Sequence, residues 1–282
     1  MKAGQTFHQP PQRPGRDGEL SSDFNYEDRI TLPKQVSAAV FDVDRTILSN
    51  SEDLYTHLLG RTMHELSSST LGDVELTLLA RRIFDSTYPF TDTLKATAGW
   101  CRAHGGSVSD DDFNFTYWRA VDSYRKSVDG RSFTLEPVPG ASALIKHLHE
   151  STNRKLAVYS AAPRRLASMA LDVVGISHLF SAQVFNEDLP SGTSKFETIG
   201  WQRALSLLGG RNGPIVGFED RAEGAVGLLA AGFDTVLVVP SLPATEFFQR
   251  VERYTPHLTS TSRAILLKRL HFVRSWESVH PS

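Results

Sequence analysis

Two carboxylates one residue apart, Asp42 and Asp44, stand at the end of the apolar run Ala38-Ala39-Val40-Phe41, and Thr46 follows two residues later. An acid pair of this spacing suits metal-assisted phosphoryl transfer: one carboxylate attacks phosphorus while the other manages the proton of the leaving group. The run has the β-branched and aromatic character of a buried parallel strand, predicted over 36–43. Asp42 then lies at its carboxyl end, the edge of an open α/β sheet where ligands bind. A strand that simply ends in a polar turn would read the same way, because Asp and Thr are common turn residues. The pair alone leaves both readings open.

Three later segments supply matching chemistry. Ser160 follows the strand Leu156–Tyr159 and precedes Ala161, Ala162 and Pro163. A hydroxyl beside the amides of a Pro-initiated helix start makes a phosphate cradle, an ordinary helix cap being the plainer alternative. Lys195 is placed at the start of a helix after the run Pro190-Ser191-Gly192-Thr193-Ser194. A cation there opposes the helix dipole, which points to another task, holding an anionic oxygen. Glu219 and Asp220 end the strand Ile215–Phe218 and offer hard oxygen ligands of the kind Mg²⁺ takes, or else cap the next helix. Each signal is modest, but all four fall at one edge of one sheet.

The elements that must position these groups follow from periodicity. From 134 to 240 strands and helices alternate with short links: helix to about His149, strand 155–159, helix 163–174, strand 183–185, helix 195–208, strand 214–218, helix 222–231 and strand 234–239. This pattern predicts an α/β fold with a doubly wound parallel sheet. Between the first strand and the rest, 52–133 reads as amphipathic helices only, with stripes such as Leu54, His57 and Leu58 or Val74, Leu78, Leu79 and Ile83. That block is expected to form an all-α domain inserted into a core made of 35–51 and 134–255. Phe113, Phe115, Tyr117 and Trp118 are read as its core rather than as a ligand pocket. Residues 1–34, rich in Pro, Gly and charge, are expected to be a flexible tail, and 256–282 a C-terminal tail with a helix that docks on the core or contacts a second copy.

Composition narrows the class. The 282 residues carry 30 basic and 32 acidic side chains, a net charge of −2, and no long block of either sign, so there is no electrostatic case for a nucleic-acid partner. The single cysteine, Cys101, precludes an internal disulfide framework and reads as a buried structural thiol. No stretch is apolar enough to span a membrane, and the first 20 residues lack a secretory core, so no membrane association and a cytoplasmic location are expected.

Taken together, these motifs resemble those of the haloacid dehalogenase superfamily, in the branch whose helical cap is inserted after the first motif. Asp42-Val43-Asp44-Arg45-Thr46 resembles the first motif, Ser160 the second, Lys195 the third and Glu219-Asp220 the fourth. Glu219-Asp220-Arg221 through Gly224 to Ala230-Ala231-Gly232, with Pro139-Gly140 upstream, is similar to the phosphoglucomutase-like subgroup. The resemblance implies a Rossmann-like core with a cap over the site and a Mg²⁺-dependent phosphatase acting on a small phosphorylated molecule. Asp42 is then the nucleophile and Asp44 the general acid and base. Mg²⁺ is held by Asp42, the backbone carbonyl of Asp44, Asp220 and Glu219, and phosphate by Ser160, Ala161 and Lys195, with Arg45 and Thr46 nearby. Two positions depart from the pattern: Arg45 where glycine is usual, and Phe196 where proline usually follows the lysine. A long cation at Arg45 can reach substrate or cap. Asp44 favours phosphoryl transfer over dehalogenation, which needs no acid there. A phosphosugar mutase and a non-catalytic binding protein of the same fold are the competing readings. His57, Arg61, Arg81, Arg82, Arg45 and Arg164 are the candidates at the cap mouth.

Overall fold

The computed structural model describes residues 24–32, 36–87, 89–127, 133–150 and 155–281. In chain order the elements are β1 (Ile30–Leu32), β2 (Ala38–Phe41), α1 (Ser51–Leu66), α2 (Asp73–Ser86), α3 (Phe90–Ala103), α4 (Asp110–Lys126), α5 (Ala141–Glu150) and β3 (Lys155–Tyr159). There follow α6 (Arg164–Val173), β4 (Ala182–Val184), α7 (Thr198–Leu207), β5 (Ile215–Glu219), α8 (Ala222–Ala230), β6 (Thr235–Val238), α9 (Ala244–Tyr254), α10 (Ser260–Leu267), β7 (Leu270–Phe272) and β8 (Val279–Pro281).

Six strands form one parallel sheet in the order β4-β3-β2-β5-β6-β7, with helices on its faces, as the alternation predicts. All four residues of β2 are buried, which is why its sequence is an unbroken apolar run. The chain winds outward from β2 in both directions, so the strand that carries Asp42 is the one where the winding reverses. A crevice opens at the carboxyl ends of the strands at such a point. Register sets the depth of the site: Phe41 is level with Val158 of β3 and Phe218 of β5. Phe41 and Phe218 also stack with ring centroids 4.1 Å apart, which locks β2 against β5. The polar residues that follow each strand therefore emerge side by side.

Helices α1 to α4 form the inserted unit. Its interior holds Leu54, Leu58, Met63, Leu76, Ala80, Phe113, Tyr117 and Val121, and the buried Cys101, whose thiol burial pushes up to about 11. The apolar stripe expected on α2 holds only in part: Leu79 and Ile83 pack against the core and Leu76 and Ala80 are buried, whereas Val74 and Leu78 are exposed. The cause is a close helix crossing. Gly60 of α1 lies so near the Thr77 backbone that a Cβ there would stand 2.8 Å from it, so the face of α2 around Thr77 is the one pressed onto α1. Phe113 and Tyr117 are core, as expected, but Phe115 is exposed.

Both expected tails need correction where they are described. Residues 1–23 lie outside the described residues, but Phe24 is buried against Phe247 and Phe272, and β1 pairs in parallel with β8. The segment expected as one C-terminal helix divides into α10 and β7, and β7 adds the outer strand beside β6. A three-residue strand in which only Leu270 and Phe272 are buried is too short to show alternation in a sequence. Helix α9, which the sequence reading does not assign, covers the sheet through Phe247 and Val251.

Candidate active site

The first-motif loop starts where the β2 ladder ends, with Asp42 N donating to Phe218 O at 2.9 Å. It then turns back on itself: Ile47 and Leu48 N donate to Val43 O, and Arg45 adopts φ +65°, a left-handed conformation that glycine adopts without cost. The turn aims Asp42 and Asp44 at one cavity of about 290 Å³, whose lining also includes Lys195, Ala161 and Arg221.

Asp42 is buried, and its carboxylate is held from two sides. Thr46 Oγ1 donates to Oδ2 at 3.2 Å, and Lys195 Nζ donates to Oδ1. The same ammonium donates to Glu219 Oε1 at 2.9 Å. Lys195 precedes α7 by three residues instead of opening it. Its carbonyl is fixed by Trp201 Nε1 at 2.9 Å, and its ammonium lies over the Tyr159 and Trp201 rings. Burial lowers the tendency of Lys195 to carry charge, but Asp42 and Glu219 outweigh it and hold the amine protonated.

Asp44 faces the other way. Its Oδ1 accepts from Ser51 Oγ at 2.5 Å and Tyr55 Oη at 3.0 Å, and its Oδ2 from Ser160 Oγ at 3.3 Å. Ser51 and Tyr55 lie four residues apart on α1, hence on one helix face. Burial is the main force raising the Asp44 carboxyl above its ordinary range, with the Ser51 hydroxyl acting against it. Ser160 is buried and also accepts from Ala162 N at 3.0 Å, which fixes the start of the loop before α6.

Glu219 and Asp220 adjoin Asp42 without lining the cavity themselves. Glu219 Oε2 accepts the amides of Asp220 and Arg221 at 2.7 and 2.8 Å. Gly224 makes this possible, since a Cβ at that position would overlap Glu219 Oε1. Asp42, Glu219 and Asp220 each place a carboxylate oxygen within 4.8 Å of the others. Neither carboxylate oxygen of Asp220 has a hydrogen-bond partner among the described residues, although both are buried. Burial and the neighbouring Glu219 push the Asp220 carboxyl far above its usual range, and burial lifts Asp42 to about 7 against the pull of Lys195. A buried all-oxygen group with excess negative charge and an orphaned carboxylate fits a hard divalent cation. The Asp44 carboxylate stands outside this group, engaged with Ser51, Tyr55 and Ser160.

The mouth is organised differently from the sequence expectation. Arg45 donates to Glu52 Oε2 through Nε and Nη2 at 3.1 and 2.8 Å, so it reaches the cap's first helix. Glu52 also accepts from Arg81 at 3.2 Å and from Arg221. Arg164 pairs with Asp188, and His57 and Arg61 line a separate hollow with His64 and Arg119. None of the six mouth candidates is among the described residues that line the cavity of Asp42 and Asp44; Arg221 is the arginine that does. Sequence reasoning missed Ser51, Glu52 and Tyr55. The available signal was their place at the start of the helix right after the motif, with Ser51 and Tyr55 at i, i+4 spacing.

Glu52 gives a pH-dependent prediction. Burial alone would raise its carboxyl, but Arg221, Arg45 and Arg81 hold it down at about 2, against an ordinary 4.5. A carboxyl lowered by folding stabilises the protein fully above its unfolded value and loses that contribution as pH falls through the folded value. Here the shift is worth about 3 kcal/mol at neutral pH, fading between about pH 4.5 and 2. Urea denaturation of wild type and Glu52→Gln should show that gap at pH 7 and a smaller one at about pH 3.5.

Comparison with known proteins agrees with this arrangement. None of the curated proteins matches the chain in sequence. Among solved structures, the fold is shared with CbbY from Rhodobacter sphaeroides, crystallised with phosphate (17% identity, TM-score 0.56, 86% of this chain and 95% of that one). It is shared also with a Thermotoga maritima protein described as a beta-phosphoglucomutase (21% identity, TM-score 0.57, 76% of this chain and 91% of that one). The family model of the haloacid dehalogenase-like hydrolases matches residues 36–232, a span that begins before β2 and takes in Asp42, Asp44, Glu219 and Asp220. The chain is therefore a member of the haloacid dehalogenase-like hydrolase family, with a parallel α/β core and a helical cap.

Proposed function

We infer that this protein is a Mg²⁺-dependent phosphatase that hydrolyses a small-molecule phosphate monoester through an aspartyl-phosphate on Asp42. The observation that carries this reading is the opposed placement of two acids: the buried Asp42 beside Lys195, and the half-buried Asp44 held separately by Ser51, Tyr55 and Ser160. Asp42, Asp220 and Glu219 would hold the cation, with the Asp44 carbonyl as the family resemblance implies; Mg²⁺ so bound would neutralise phosphate charge.

A carboxylate oxygen of Asp42 forms the new bond to phosphorus as the ester P–O bond breaks. Thr46 and Lys195 fix that carboxylate; Lys195, on the cavity wall with Ala161, would bind phosphoryl oxygens, and so would the Ser160 hydroxyl once it turns from Asp44. Asp44, kept neutral more readily by its burial, gives its proton to the departing alkoxide. It then takes a proton from the water that attacks phosphorus, which breaks the bond to Asp42 and releases inorganic phosphate. Two distinct environments for two carboxyls are what such a division of labour requires.

The test is phosphate release from a panel of monoesters with Mg²⁺ and with excess chelator. Expected is turnover that a chelator removes and that Mg²⁺ restores. Conversion of a sugar phosphate to its isomer without phosphate release would establish the mutase instead.

A further inference from the structure

The cavity is small, about 290 Å³, near the lower limit of about 300–1,000 Å³ typical of ligand pockets. Its inner end is the phosphoryl site of Asp42, Asp44 and Lys195, so its outer walls enclose the leaving group. Those walls are aromatic and aliphatic: Tyr55, Phe84 and Phe90 on the cap side, Ala161, Ala162 and Pro163 on the core side. Phe84 and Phe90 meet edge to face at 6.2 Å, and Phe90 is braced from behind by Tyr117 at 5.7 Å and Trp118 at 6.2 Å.

The polar groups of these walls are engaged. Thr87 Oγ1 donates to Ile83 O at 2.7 Å and lies 2.8 Å from Thr93 Oγ1, so both hydroxyl protons are committed within the cap. Asp85 is bonded to Arg81, and Glu52 to Arg45, Arg81 and Arg221. Among the described lining residues the cations are Lys195 and Arg221, and each is tied to carboxylates.

We propose that the substrate is the monophosphate of a small apolar, preferably aromatic, alcohol or phenol that carries no second anionic group; this rests on the catalytic reading above. A flat ring fits between the Phe84–Phe90 pair and Ala161–Pro163 and buries its faces there. A sugar would leave several hydroxyls without partners against the same surfaces, and a second phosphate would face Glu52 and Asp85 with no uncommitted cation among the described lining residues.

Binding to full-length Asp42→Asn with Mg²⁺, followed by calorimetry, tests the substrate class without requiring turnover. Benzyl phosphate should bind at least ~10-fold more tightly than glucose 6-phosphate, a ratio that hydrophobic pocket contacts can supply. Fructose 1,6-bisphosphate should bind no more tightly than inorganic phosphate. Adding Phe84→Ala or Phe90→Ala should reduce the benzyl preference to below about 3-fold, with inorganic phosphate binding unchanged as the check on folding. Equal or tighter binding of either sugar phosphate overturns the proposal, as does a preference that survives both phenylalanine changes. The preference seen in a protein whose wild type hydrolyses no ester supports this pocket assignment and removes the phosphatase. Hydrolysis that favours sugar phosphates does the reverse.

Discussion

Asp42→Asn should reduce phosphate release by a factor on the order of 10³ or more, because it removes the nucleophile and not merely a contact. Asp44→Asn should behave differently: a loss on the order of 10² to 10⁴ that depends on the leaving group. An ester of an acidic phenol departs without a proton, so its first step should be spared, and phosphorylated enzyme should accumulate when its hydrolysis loses the base. Quenched-flow mass spectrometry on Asp44→Asn with 4-nitrophenyl phosphate would detect the added phosphoryl group. Equal loss for acidic and basic leaving groups, with no phosphoenzyme, would remove Asp44 from its assigned role. Neither change should unfold the chain. Asp42 is one of three clustered carboxylates, and replacing it relieves repulsion while giving up its bond to Lys195.

The second large effect is expected far along the chain. Trp276 is fully buried, its indole N–H donates to Thr46 O at 2.6 Å, and its ring meets Phe218 edge to face at 5.4 Å. Its own N–H donates to Pro139 O at 3.1 Å. The next turn is just as close: Gly140, at φ +80°, lies where a Cβ would stand 2.4 Å from the Glu277 amide nitrogen, so only glycine fits. Trp276→Ala should therefore cost about 3–5 kcal/mol in a denaturant melt, through the cavity left behind, and orphan the Thr46 carbonyl. Because Thr46 holds Asp42, kcat should fall with little change in KM at temperatures where the variant stays folded. Trp276→Phe, which refills most of the volume but cannot donate, separates the two contributions.

The candidate site residues Asp42, Ser160, Glu219 and Asp220 are legible because they mark the ends of apolar strands, and a strand's end is a local feature. Asp42, Ser160 and Glu219-Asp220 sit where β2, β3 and β5 stop, and the parallel register brings them together without further information. Lys195 was legible as a residue but not in its setting, since its position depends on Trp201 and Tyr159 packing around it rather than on a helix start. The cap mouth was not legible. Glu52 and Arg221 are 169 residues apart, and any of several arginines could have paired with that acid on sequence grounds. The partial stripe on α2 has the same origin: hydropathy weights Val74 and Leu78, whereas the close approach of Gly60 to Thr77 decides the face. β7 and β1 were missed because three residues cannot display a period.

The hydrogen bond from Trp276 to Thr46 spans 230 residues, and β1 and β8 join the same two regions of the chain. During synthesis, the loop bearing both acids emerges 230 residues before the brace that supports it. Folding therefore follows the order of translation: β2, β3 and β5 can assemble first, but the sheet lacks its β7 edge and the acid loop its support until residues 270–281 are made. Nascent chains stalled before residue 270 should hold a folded cap and an unfinished core, and the competent site should arise as a late, single event.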